Sequence, residues 1–248
     1  NGTKTTGLAF PTADTITYTL TTGPAASATG SVGKGYAIAG STLVNWVRGV
    51  DNKEDENANN SLTDVRASIH GDVLHSRPLI VNYGGTTGIY AFYGSNDGTF
   101  RAVKAGQATT DGAEAWSFVA PEHYSTLGRL YANSPVVKYP NTNLAITPTP
   151  APRNYFFDGN IGIYQTPDTD PNDNVRPDKT HIFVSMRRGG QTLYALDVSD
   201  PTVPKFLWKV SAPVTPNNID DFGLLGQTWS EPKVIPISKP GKTCNIAD

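Results

Sequence analysis

The chain is expected to fold as an all-β protein, a β-propeller of four-stranded antiparallel blades, with about two blades complete, partial ones at either end and one short helix. Three observations carry that expectation. Glycine (24) and proline (19) punctuate the 248 residues, and Thr, Val and Tyr are plentiful, a mixture that favours short strands joined by turns. A phrase of the form Ser-(x)-Pro-apolar-apolar occurs at Ser76–Val81, at Ser134–Val137 and at Ser230–Ile235. A strand followed by a tryptophan occurs twice, as Gly98–Ala105 leading to Trp116 and as Gln191–Val198 leading to Trp208. A repeated strand unit with one aromatic anchor per unit is how propeller blades read in sequence.

Residues 1–40 hold one alternating run, Thr15–Leu20, and then a polar Ala/Ser/Gly loop. They stay unassigned, and residues 41–248 form the partial propeller. Residues 41–49 predict a short helix: Ser41 is placed to cap its start, Leu43, Val44 and Val47 share a face, and Gly49 stands where a C-terminal cap belongs. Residues 51–64 form a polar, acidic loop. The first blade runs from Arg77 to Phe118 in four apolar runs, with Asn96-Asp97-Gly98 as a type I′-like hairpin turn. A short helical turn is expected around Glu122–Leu130. The second blade runs from about Asn154 to Val210, and Glu231–Ile237 begins a third. A closed ring needs about four to eight blades, so a sector of a larger propeller is expected. The start at Asn1 without a methionine agrees with such a piece.

Only 17% of residues are charged and the net charge is −2, which provides no electrostatic footprint for nucleic acid and no basic run for an acidic membrane surface. No stretch has the apolar length of a membrane span. Cys244 is the single cysteine, which rules out a disulfide-rich module and a cysteine zinc site. Within this stretch it is a free thiol, or it pairs with a cysteine beyond it. His70, His75, His123 and His181 are scattered without HxH or HxxxH spacing, so each is read as a partly exposed strand or loop residue. Trp46, Trp116, Trp208 and Trp229 are read as packing residues rather than ligand-stacking ones. No nucleophile elbow or phosphate loop occurs, and no enzyme is expected.

Five phrases then fall in a familiar order: Val44–Asp51, Gly71–Pro78, Tyr93–Phe100, Tyr155–Gly159 and Tyr194–Pro201. Together, over roughly residues 40–238, they resemble the C-terminal propeller of the PilC/PilY family of type IV pilus biogenesis proteins. The resemblance implies a non-enzymatic, exported protein at the cell surface, pilus tip or outer membrane. It implies minor pilins and the pilus tip as partners, a host or abiotic surface ligand, and membrane association only through such partners. Implied roles are pilus assembly, control of retraction and twitching, and adhesion. Alternatives are a quinoprotein-like propeller dehydrogenase fragment and an outer-membrane assembly scaffold. No Arg-Gly-Asp tripeptide occurs to support an integrin contact.

The sharpest local pattern is Asp170–Asp178. Oxygen-bearing side chains at alternate positions of a tight loop converge on a hard cation, and calcium takes about six to eight such oxygens. Asp170, Asn172 and Asn174 supply side chains, Arg176 its carbonyl and Asp178 a carboxylate. The resemblance supports calcium here, since loops of this form are a feature of some family members. It departs from an EF-hand in lacking the sixth-position glycine, and His181 stands at position twelve. The bland alternative is an acidic connecting turn. Asp55, Asn57, Asn59 and Asp64 repeat the alternation more loosely, as a second calcium candidate or an ordinary polar loop.

Overall fold

The computed structural model describes residues 40–109, 111–140, 145–167, 169, 177–212 and 222–235. The run Thr15–Leu20 and Cys244 lie outside the described residues. Two four-stranded antiparallel meanders form. The first holds β1 (Leu79–Asn82), β2 (Ile89–Gly94), β3 (Thr99–Lys104) and β4 (Glu114–Val119). The second holds β5 (Ile161–Gln165), β6 (Thr180–Ser185), β7 (Thr192–Asp197) and β8 (Lys205–Ser211). These are the eight runs expected of two blades.

Alternation makes the strands. Along β2, Tyr90, Phe92 and Gly94 turn inward while Ile89, Ala91 and Tyr93 are half-buried. The β2–β3 turn is not type I′, which would need positive φ at both central residues. Gly98 alone is left-handed there (φ 100°), and Ser95 N donates to Thr99 O at 3.0 Å across a three-residue loop. The Asp97 carboxylate sets that shape by accepting from the Thr99 amide at 3.0 Å and from the hydroxyls of Ser95 and Thr99.

Each sheet carries the same cross-strand row. Phe92 pairs with Ala102, which pairs with Trp116; Phe183 pairs with Ala195, which pairs with Trp208. In both sheets the register slips just beyond the alanine, leaving Ala115 and Leu207 as the extra residues. The alanine leaves room for the two rings to meet over it, Trp208 lying 5.7 Å from Phe183 and Trp116 6.0 Å from Phe92. The rows differ in burial. Trp116 is covered by the second sheet, and its Nε1 donates to Pro201 O at 2.7 Å. Trp208 remains 42% exposed and Trp229 48% exposed, so the expected core packing fails for both.

The core lies between the sheets, with Phe92, Phe100 and Ala102 of the first against Ile182, Val184, Tyr194 and Leu196 of the second. The second sheet thus offers the first the face opposite to its own Phe–Ala–Trp row, a head-to-tail arrangement. The lead-in to β5 lies across the first sheet, where a Cβ on Gly94 would come within 2.0 Å of Phe157 O. Residues 228–232 lie across the second in the same way: a Cβ on Gly162 would meet Pro232 O at 2.2 Å, and Met186 N donates to Thr228 Oγ1 at 2.9 Å.

Among the described residues two α-helices form where one helix and a helical turn were expected. The first, α1 (Gly40–Val47), begins one residue before the Ser41 expected to cap it. It ends as predicted at Gly49 (φ 101°), with Val50 N donating to Asn45 O and Gly49 N to Trp46 O. The second, α2 (Tyr124–Ala132), grows from the helical turn expected near Glu122 and stops at Asn133 in the left-handed region. Leu43 and Trp46 of α1 pack on Leu127 of α2 and on Phe156. The Ser-Pro phrase proves less general than expected. It opens a sheet at Leu79, while Val137 makes a single parallel bridge to Ala151 and residues 231–235 form no strand.

Candidate functional site

The loop between β5 and β6 carries the predicted metal ligands. Asp170, Asn172, Asn174 and Arg176 lie outside the described residues; Asp178 lies within them. The loop leaves and returns through one closed neck. Thr166 N donates to Lys179 O at 3.1 Å, and Lys179 N donates to Thr166 Oγ1 at 3.0 Å. Asp178 turns back across the loop and accepts from the Thr169 amide at 3.2 Å and from its hydroxyl. Those bonds to Thr169 hold its carboxyl below the ordinary aspartate pKa. Among the described residues no group of three or more His, Cys, Asp or Glu side chains is placed to share a metal.

The loop 51–64 is a polar turn held by its own side chains. Asp55 spends both oxygens on the amides of Asn59 and Asn60. Asn57 and Asn59 both donate through Nδ2 to one oxygen of Asp64, Oδ2, at 2.8 and 2.6 Å. Asp64 keeps a shielded, unmatched oxygen, Oδ1. The turn engages Asp55, Asn57 and Asn59, because Asp and Asn side chains compete well for nearby hydrogen-bond partners.

Residues that the sequence did not single out build a polar junction where the two sheet lead-ins meet the β2–β3 turn. Asp158, 1% exposed, accepts from His75 Nδ1 at 2.8 and 2.9 Å through its two oxygens. Asn96 reaches the same carboxylate at 3.4 Å, accepts the Phe156 amide at 3.2 Å and donates its own amide to Asp72 O at 3.0 Å. Arg153 pairs with Asp72. Beside it, Arg101, 4% exposed, pairs with Asp97 and Glu114, each at 2.8 Å. Burial would raise the Asp97 carboxyl, but Arg101 and the hydroxyls of Thr99 and Ser95 outweigh it and hold the pKa below the ordinary value. The His75–Asp158 pair ties the lead-in to β1 to the lead-in to β5. The signal in the sequence is that Asn96, Asp97 and Asp158 all sit in the phrases Tyr93–Phe100 and Tyr155–Gly159 that carried the resemblance.

One curated protein aligns along this frame: the Type IV pilus biogenesis factor PilY1 homolog of Xylella fastidiosa (strain Temecula1 / ATCC 700964), 27% identical over 226 residues. The chain is thus similar to a PilY1-like type IV pilus biogenesis factor. The alignment takes in 82% of this chain and 16% of the Xylella protein, so the chain spans less than a fifth of that relative. No family model and no solved structure matches it. The resemblance read from the ordered phrases is thereby borne out. Among the described residues no helix is long and apolar enough to cross a membrane.

Proposed function

We propose that this chain is a sector of the β-propeller of an exported, non-enzymatic type IV pilus factor that promotes assembly, opposes retraction and contributes to adhesion. The similarity to the PilY1 homolog carries this reading. The stacking order supports the propeller: the first sheet turns its Phe–Ala–Trp row toward the second, and the second turns its own row the same way, where residues 228–232 already lie on it. In this reading a third blade covers Trp208, and the ring presents its loops to minor pilins at the pilus tip. Genetic exchange tests it. Replacing the matching segment of a full-length PilY1 homolog by this chain should restore surface pili and twitching to a deletion strain. A stable, exported chimera that leaves the cells bald would overturn the reading.

The same proposal places calcium in the loop of Asp170, Asn172, Asn174, Arg176 and Asp178. The observation in its favour is that Asp178 points back across the closed neck to Thr169. Two carboxylates, two amides and one carbonyl leave ligand places to water, so affinity is modest, around 10⁻⁶–10⁻⁴ M. Asp178→Ala should remove one binding equivalent in isothermal titration and disturb twitching with the fold intact. Unchanged calcium heat in that variant would reduce the loop to an acidic turn.

A further inference from the structure

A different carboxylate sits in a place that hydrogen-bond donors do not serve. Asp51 is 1% exposed, and both its carboxylate oxygens are shielded with no donor. Asp64 Oδ1 and Asn52 Oδ1 are shielded and unmatched as well. A buried carboxylate without a partner is costly enough that native chains pair it or place it on a metal.

The backbone explains why these groups converge. Val50 and Val65 form an antiparallel bridge, and Asp51 N donates to Asp64 O at 2.8 Å while Arg66 N donates to Gly49 O at 2.9 Å. That register sets Asp51 directly opposite Asp64, with both side chains on one face of the bridge. Directly opposed residues have Cβ atoms only about 4.5–5.5 Å apart, and like charges so placed repel. Asn52 follows at the same turn, its Nδ2 held by Thr42 O at 2.9 Å, which leaves Oδ1 as the free end of the amide.

Arg66 is the cation on that face, and its hydrogen bonds run to backbone carbonyls instead. Nε donates to Trp46 O at 3.1 Å, Nη1 donates to Ser68 O, and the guanidinium stacks on the Trp46 ring at 4.1 Å. Burial lowers its pKa, and Glu56 and Asp97 oppose that more strongly than Asp51 does. Lys53 pairs with Glu54 at 2.7 Å. Asp51 thus keeps both oxygens without a hydrogen-bond donor, and Asp64, whose Oδ2 accepts from Asn57 and Asn59, keeps Oδ1.

We propose that Asp51 and Asp64 bridge a divalent cation, with Asn52 Oδ1 as an added oxygen, and that the all-oxygen donor set selects calcium. The site is separate from the loop ending at Asp178. It differs from the alternating set Asp55, Asn57, Asn59 and Asp64, whose other members are bound in the turn. Its position, directly after the Gly49 cap of α1, makes the cation a clasp between that helix and the Val50–Val65 bridge.

The test uses the whole chain with calcium chloride, and terbium as a luminescent probe excited through Trp46. In an Asp178→Ala background, one calcium equivalent should remain by isothermal titration, with terbium emission that excess calcium quenches. Asp64→Asn, at the half-exposed end of the pair, should weaken that equivalent at least tenfold, and Asp51→Asn should abolish it. The melting temperature should then no longer respond to chelator. Should Asp51→Asn fail to fold, Asp64→Asn decides alone. Loss of all calcium binding in Asp178→Ala itself, or binding that Asp64→Asn leaves unchanged, would overturn the proposal. Calcium retained in Asp178→Ala at the wild-type stoichiometry but lost in Asp64→Asn supports this site and removes the other.

Discussion

His123 sits between the rings of Phe156 and Phe157, 5.0 and 5.2 Å away by centroid, with Nε2 unmatched. Burial holds its pKa at about 4 against an ordinary 6.5. Between those values the unfolded chain binds a proton that the folded chain does not, so stability rises with pH across that window. Acidification from pH 6.5 to 4 should therefore cost up to roughly 3 kcal/mol from this group. His123→Phe, with no proton to bind, should flatten the slope of melting temperature against pH there; an unaltered slope would place the acid sensitivity elsewhere. This burial was not legible from the sequence, where every histidine read as partly exposed. It comes from Phe156 and Phe157, which reach His123 only once the lead-in to β5 has crossed the first sheet. Asp178 and Asp64 were legible as candidate oxygen donors by type, whereas Asp51 needed the Val50–Val65 register to show that it stands opposite Asp64.

The strands were legible nearly to the residue because alternation and Gly- or Asn-rich turns are local signals. The extent of α2 was less so: Tyr124, Leu127 and Tyr131 share a face only against α1, a tertiary partner. The Ser-Pro phrase misled for the converse reason. It describes how a strand starts, and a strand persists only where a neighbour accepts its hydrogen bonds. The paired rows yield a sharp comparison. Trp116→Ala should cost about 3 kcal/mol, as expected for emptying a packed aromatic site, and Trp208→Ala about half that or less. Equal losses in urea titration would contradict the difference in cover. Gly94→Ala should destabilise by about 1–3 kcal/mol, since its Cβ meets the backbone at Phe157, with the denaturant slope unchanged. A neutral result would mean that the lead-in to β5 shifts freely.

At the scale of the molecule, the sheets share no strand pairing, and side chains alone join them among the described residues. Tyr83, just past β1, donates its hydroxyl to Val198 O at 2.7 Å, and Trp116 of β4 donates to Pro201 O. Both edges of the first sheet are thus tied to one short turn, itself stiffened by Asp197 accepting from the Ser199 amide at 2.9 Å and Asp200 from that of Thr202 at 2.9 Å. In a four-stranded meander the first strand begins and the last strand ends at the same end of the sheet, on opposite edges. Tension along the chain therefore peels such a sheet open one hydrogen bond at a time, the weak direction, instead of shearing the whole ladder together. The turn at 198–201 acts as a clamp across both peeling edges. Pulled from its two ends, the first sheet should hold until that clamp lets go and then release its length, on the order of 14 nm for Leu79–Val119, in one step. With Trp116→Phe, which cannot grip Pro201, the same length should pay out gradually at lower force.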